Sequence, residues 1–521
     1  MSRGDTSTGA SDVSNSARFS QVPLILAVTA VLLLTTVMVT YPGWILGVIR
    51  AVHRFLRARG SAAYVLSASF FAGAALYLAF SRHGHSVIGL PGERPRFGTG
   101  AWVTLLFSGG LGLGVLFLGV SDTMRGFAAP SSGVTPYSPA AAREALETVF
   151  LQWGLHMWAM PLVTGLALTW FSLRQRASMR VSSTLFPFLG FRCERWTGHS
   201  VDAIVLIGSL VAGSTVLGLS AMQFASGVTS IFGVPDTAGL VLLSLLLLTT
   251  VPMVLLLLKR HRQVQLLRQP VSVTAGVLAL LLFILGPGSW LISLFSTVLG
   301  EYLSDLPASA LAVGSVANGN APAEQSLFHW AFWVIWAPFT GVFLASVSRG
   351  RTIRSFVLAV LTIPALGTLF VVSMTAGAGL YLELEQGVLV ADSVVAAPES
   401  ALFVILSGYR LSLLLRVLAI LIVGVLGVVM VDSSSWFLAR LSYPEESQLR
   451  TPVRMLWLLL VGILAAVVFV AGGLTGFRSL VIVTSLPVLP LLLFAFAGFV
   501  RALRYNERTG SAAVIRNSDS R

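Results

Sequence analysis

Charge, cysteine and lysine are all scarce in this chain of 521 residues. Charged side chains make up 11% of it, against about a quarter in soluble globular proteins, so an ordinary water-facing surface is excluded. The single cysteine, Cys193, excludes an intrachain disulfide and a thiolate metal cluster. Lys259 is the one lysine, so a net charge of +13 rests almost wholly on arginine. Neither a His-Glu-x-x-His nor a Gly-x-x-x-x-Gly-Lys loop occurs, which removes zinc-dependent hydrolysis and nucleotide-driven pumping from the candidate chemistries. Ser433 has no base near it in the sequence, so a serine hydrolase is also disfavoured. Nothing points to an enzyme, a cofactor, a resident metal or a nucleic-acid partner.

Apolar length is what the chain has in quantity. Hydrophobic residues are 55% of the total and the mean hydropathy is +0.86. A helix needs about 20 apolar residues to cross the hydrocarbon core. Twelve stretches qualify, near 22–41, 62–81, 99–120, 148–172, 201–226, 238–258, 271–291, 327–347, 355–377, 411–431, 453–472 and 479–500. An all-α, polytopic membrane protein in a lipid bilayer follows. The polar opening segment, 1–21, reads as a tail without a cleavage pattern, and 504–521 as a second short tail.

Arginine placement orients the spans. Arg82, Arg94 and Arg96 follow span 2; Arg174, Arg176 and Arg180 follow span 4; Arg349, Arg351 and Arg354 follow span 8; Arg501 and Arg504 follow span 12. The opposite loops carry Asp236, Glu301, Asp305, Glu383 and Glu399. The positive-inside rule then puts both termini in the cytoplasm of a cell (inner) membrane protein. Arg50, Arg54, Arg57 and Arg59 after span 1 break the pattern, and their spacing predicts an amphipathic helix on a membrane surface.

Two spans depart from the aliphatic background. Span 3 carries Gly109-Gly110-Leu111-Gly112-Leu113-Gly114, and span 8 carries Trp330, Phe332, Trp333 and Trp336 before Pro338. A glycine run permits either unwinding around a cavity or close helix packing. Five spans separate the two irregular ones, so 99–291 and 327–503 can be five-helix units of opposite topology. Paired irregular helices in such units mark a transporter's central site. The segment 292–326 then connects the units on the outside, and 22–98 supplies two peripheral helices. Trp153, His156 and Trp158 on span 4 add to the aromatics. An aromatic box suits an organic cation; an interfacial belt is the competing reading, but Trp333 and Trp336 lie well inside their span.

These residues resemble the betaine/choline/carnitine transporter family. The likeness covers roughly residues 90–505. It rests on Gly110-Leu111-Gly112-Leu113-Gly114, Trp153-Gly154-Leu155-His156-Met157-Trp158, Trp336-Ala337-Pro338-Phe339 followed by Ser348-Arg349-Gly350-Arg351-Thr352-Ile353-Arg354, Gly198-His199-Ser200-Val201-Asp202, and Asp432-Ser433. The resemblance implies a LeuT-like fold of two inverted five-helix repeats plus two N-terminal helices, often assembled as a homotrimer, moving a quaternary-ammonium solute such as glycine betaine, choline or carnitine. It places Trp153, Trp158 and Trp333 in the ammonium cage, with Phe332 alongside, and sets Gly110, Gly112 and Gly114 beside the substrate. Phe328 and Trp336 fall on the outer entry path.

Two departures qualify it. The third cage aromatic of the family's span 4 is Pro161 here, which keeps open a different small zwitterion or cation. The family's sodium-binding Thr-Ser pair on span 10 is Val429-Met430, and a hard cation needs oxygen ligands. Proton coupling, exchange against a counter-substrate, or uniport is therefore favoured over sodium symport. The short C-terminal tail argues against osmotic activation, and a non-transporting sensor is a further alternative.

The remaining candidates are ionisable. His156 and His329 are titratable groups for a proton-coupled cycle, or packed core histidines. Asp432 either gates or pairs with an interior arginine. Arg349, Arg351 and Arg354 meet lipid headgroups or an inner gate. Asp202 is expected to cap its own helix, and Arg416 to snorkel outward.

Overall fold

With no water to satisfy backbone groups, a chain of this hydropathy must bond each span internally, and the protein is built from helices. The computed structural model describes residues 21–509 apart from 91, 111–113, 176, 236–237, 313–320 and 443–450. Among them, extended pairing is confined to one antiparallel bridge between Val87 and Thr352.

Span 1 is α1 (Val22–Thr40). The amphipathic segment forms α2 (Pro42–Phe55), starting on a proline whose missing N–H suits the first turn. It is not a separate surface helix. Through a π turn at Leu56–Gly60 it runs on into α3 (Ser61–Phe80), because Gly60 keeps right-handed helical angles and no proline intervenes.

Span 3 comprises α4 (Thr99–Gly110), a π turn (Val115–Gly119) and α5 (Val120–Ala128). Span 4 comprises α6 (Pro139–Trp153) and α7 (Leu155–Arg174), separated by Gly154. Short α8 (Val181–Thr184) and α9 (Phe186–Leu189) precede the long α10 (Trp196–Phe232), which ends on Gly233 at φ 66°. Next come α11 (Ala238–Leu257), α12 (His261–Leu285) and α13 (Gly288–Ala310). The seventh span therefore stops at Gly286-Pro287, short of 291. Span 8 is α14 (Ala321–Val347) and span 9 is α15 (Ile353–Gln386). After α16 (Val390–Ala396) and α17 (Ala401–Ser407) come α18 (Ser412–Ser442) and α19 (Thr451–Thr509).

Among the described residues nine helices are long and apolar enough to cross a membrane. The last of them is two spans meeting at Gly473, where φ is 54° and ψ is −144°. Spans 3 and 4 fall outside the nine, and together these account for the twelve stretches. The expected pairing of irregular spans 3 and 8 is corrected here. Span 8 stays helical through its tryptophans and past Pro338, and the second interruption is in span 4, at Gly154.

The two site-bearing helices α7 and α14 cross backbone to backbone. A Cβ on Gly165 would run into the Gly341 carbonyl, and one on Gly341 into the Pro161 carbonyl. Small residues allow this approach, which replaces the hydrophobic drive that lipid removes.

Polar staples hold the ends. Asp202 lies a turn and a half inside α10 and does not cap it. It accepts from the Ser182 backbone N–H (3.0 Å) and hydroxyl (2.7 Å), capping α8 instead, with Arg180 at 3.9 Å. Arg180 also donates to the Leu441 and Ser442 carbonyls at the end of α18, where orphan acceptors collect. Arg416 bonds Ser230 in the last turn of α10.

Candidate functional site

The two breaks meet at one side chain. A Cβ on Gly114 would come within 2.6 Å of Cη2 of Trp153, so the glycine lets the backbone of span 3 lie against the indole. Gly110 closes α4, and Gly112 lies outside the described residues. One residue after Trp153, Gly154 takes φ −90° and ψ −135°. Its Cβ would stand 2.5 Å from the Phe150 carbonyl and 2.7 Å from the Tyr302 hydroxyl. Breaking a helix orphans N–H groups, and the Leu155 N–H donates to Tyr302 Oη at 3.2 Å. The connecting helix α13 thus holds the break open.

Tyr302→Phe should lower thermal stability and slow turnover, because an unsatisfied buried N–H costs about 1–3 kcal/mol. An unchanged melting temperature in detergent would show that Tyr302 is incidental to the break.

Trp153 and Trp333 meet edge to face, with ring centroids 5.3 Å apart at 85°. Trp333 Nε1 donates to the Gln152 carbonyl (3.3 Å), tying α14 to the end of α6. On α14 the i, i+4 spacing stacks Phe328, Phe332 and Trp336 along one face, at 6.0 and 5.8 Å. Phe339 continues the row, 4.6 Å from Trp336, and reaches Phe437 of α18 at 5.2 Å. His329 sits between Trp153 (5.9 Å) and Phe328 (5.4 Å).

Other expected members lie elsewhere. Trp158 is buried on α7, and among the described residues it makes no ring contact with Trp153 or Trp333. Its Nε1 and that of Trp153 are buried without a hydrogen-bond partner there. Pro161 is buried where α7 meets Gly341. His156 packs against Trp330 at 5.7 Å and lines a cavity of about 250 Å³ that also touches Glu147 and Tyr302. Val429 and Met430 are buried on α18, and the Ser433 and Ser434 hydroxyls each donate to those two residues' carbonyls at 2.7 Å.

The polar candidates near the other end are occupied. Asp432 accepts from Arg454 at 2.7 Å, both buried. Arg349 binds Glu93 (2.8 Å). Arg351 donates to the Phe97 carbonyl (3.1 Å) and covers the Trp102 ring at 4.6 Å. Arg354 donates to the Ala79 carbonyl (2.9 Å). These arginines staple the segment after α14 to the segment around α3, and none contacts the tryptophans of the central site.

Sequence reasoning missed Asp122. This carboxylate on α5 is 2.9 Å from Arg478 of α19, 3.3 Å from Arg125 and 3.3 Å from His329 Nε2. Arg478 also lies over the Phe328 ring at 5.4 Å. The cluster borders a second cavity of about 250 Å³, whose lining includes Gln152 and Phe328. The only available signal was intramembrane charge itself, since hundreds of residues separate Asp122 from His329 and Arg478. Among the described residues no group of three His, Cys, Asp or Glu could hold a metal ion.

The betaine/carnitine/choline family transporter profile matches residues 23–508. The chain is 31% identical over 455 residues to the glycine betaine transporter OpuD of Bacillus subtilis, covering 85% of this chain and 87% of that protein. It is 28% identical over 449 residues to the osmo-independent choline transporter BetT1 of Acinetobacter baylyi, covering 85% of each. A sodium-coupled sialic acid symporter in a substrate-bound, outward-open state is similar with TM-score 0.48 and 11% identity, over 89% of this chain and 93% of that one.

Proposed function

Because the chain belongs to the betaine/carnitine/choline transporter family, we propose that this multi-pass membrane transporter carries a quaternary-ammonium osmolyte by alternating access. The ammonium group sits at Trp153 and Trp333, with Trp158 on α7 and Gly114 against the Trp153 indole. Phe328, Phe332 and Trp336 form its path. The observation that carries this reading is the right-angled Trp153–Trp333 pair pressed on Gly114. Ring faces attract a cation that has no N–H to donate. The transport units are 99–291 and 327–503, inverted relative to each other, and both termini are cytoplasmic, in keeping with the arginine-rich loops.

Coupling does not run through sodium on α18. The side chains of Val429 and Met430 carry no oxygen, and a hard cation needs oxygen ligands. A proton or an exchanged solute takes that role, with His329 beside the cage and Asp122 as the nearest titratable pair. The trimer that the family resemblance implies is read from the mass of the detergent-extracted protein. Pro161 leaves the cage with no third aromatic at that position, which favours a different small zwitterion as the second reading.

Uptake of glycine betaine, choline and carnitine into proteoliposomes under separate sodium and proton gradients tests this. Saturable uptake that ignores sodium is expected. Sodium-driven uptake would overturn the coupling assignment, and no flux of any of the three would remove the quaternary-ammonium reading.

A further inference from the structure

The cavity beside Asp122 carries more positive charge than negative. Its wall includes the guanidinium groups of Arg57, Arg125 and Arg478 and the carboxylates of Asp122 and Glu144. Both carboxylates are engaged. Asp122 faces Arg478, Arg125 and His329, and Glu144 accepts from Ser131 and Ser132 at 2.8 to 3.0 Å. The donors of Arg125 and Arg478 are less fully used. Arg125 reaches Asp122 through one nitrogen at 3.3 Å, out of five N–H donors in an arginine fork. Arg478 has its Nε buried without an acceptor among the described residues, and such a buried donor calls for a ligand atom. Gln152 and Phe328 line the same cavity, and the Gln152 backbone carbonyl accepts from Trp333. The arginines therefore share a cavity wall with a residue that holds a cage tryptophan.

We infer that this cavity is a carboxylate-recognition subsite in front of the cage, where Arg125 and Arg478, helped by Arg57, select zwitterionic solutes over cations that lack an anionic group. The inference rests on the transport reading and narrows its substrate class. A carboxylate gains charge-assisted hydrogen bonds from guanidinium groups. A choline-type cation gains none and enters a positive field. The same assignment gives Arg57 a reason to exist. It is one of the arginines that break the positive-inside pattern, and the π turn between α2 and α3 brings it to the cavity wall.

The test is initial-rate uptake of glycine betaine and choline by the full chain in proteoliposomes, for wild type, Arg125→Gln and Arg57→Gln. In wild type the KM for betaine should be the lower. Arg125→Gln should raise the betaine KM about tenfold, the loss of one charge-assisted bond, and leave the choline KM unchanged or lower. Arg57→Gln, at an exposed position, should shift it in the same direction by less and keeps the test informative should Arg125→Gln fail to fold. Equal shifts for both solutes, or a wild-type preference for choline, would remove the subsite and leave the transport reading intact. Absence of saturable uptake of either solute, with carnitine also inert, would remove both.

Discussion

Arg454→Ala should destabilise this protein more than any other single truncation of a polar side chain considered above. Arg454 on α19 and Asp432 on α18 are both buried, with Nη2 to Oδ1 at 2.7 Å. Removing Arg454 takes a guanidinium from a carboxylate buried in a medium of low dielectric, which costs about 3–5 kcal/mol. The pair ties α18 to α19, and the end of α18 is held as well, Arg180 donating to the Leu441 and Ser442 carbonyls and Trp457 to the Ser442 hydroxyl. The measurement is the monodisperse fraction of detergent-solubilised protein after graded heating. Arg454→Ala should lose it well below wild type, whereas Arg454→Met combined with Asp432→Leu should recover most of the loss, because an apolar pair of similar volume avoids the desolvation penalty. Full uptake activity in that double variant would also separate a structural Asp432 from a gating one. If the single and double variants melt together, the ion pair contributes little and Asp432 returns as a coupling candidate.

Helices of this length were legible because the bilayer imposes one period and one length on every span. What the hydropathy could not carry was continuity. The α2–α3 junction joins elements that polarity separates, whereas Gly473 falls where the sequence already divides 453–472 from 479–500. The break in span 4 had a visible glycine, Gly154, but its cause is Tyr302, whose hydroxyl takes the freed N–H from a helix far along the chain. Pro338, the stronger local signal for an interruption, leaves α14 helical. A helix breaker announces permission to break; the partner that stabilises the broken form is tertiary.

Within the site the same division holds. The i, i+4 row of Phe328, Phe332 and Trp336 follows directly from helix geometry, and the gathering of Trp153 with the span 8 aromatics was expected from the tryptophans themselves. Trp158 joins the cage only through family resemblance, since it makes no ring contact there among the described residues. The charged cluster was not legible, because Asp122 and Arg478 are paired solely by the fold. Asp432 shows the converse. Its bland reading, an ion pair with an interior arginine, is the one its 2.7 Å partner realises.

Trp333→Leu should weaken a quaternary-ammonium substrate far more than its analogue without the charged nitrogen. Glycine betaine and tert-butylacetate share shape and carboxylate, and differ in that the first carries a charged nitrogen where the second carries carbon. An indole face contributes about 0.5–2 kcal/mol to a cation, so the leucine variant should raise the betaine KM roughly 2–30-fold. Inhibition by tert-butylacetate should barely change, because apolar contact survives the substitution. Trp333 also donates to the Gln152 carbonyl, so a loss confined to that bond must be separated. Trp333→Phe removes the donor but keeps a π face, and should fall between wild type and leucine for betaine. Trp153→Leu should act in the same direction and add a second effect: it vacates the indole that Gly114 packs against, so span 3 loses its stop and maximal rate should drop along with affinity. Equal weakening of betaine and tert-butylacetate in Trp333→Leu would mean that the tryptophan acts through shape alone. The occupant of the cage would then be recognised by size, and the arginine-lined cavity would be left as the sole source of charge selectivity.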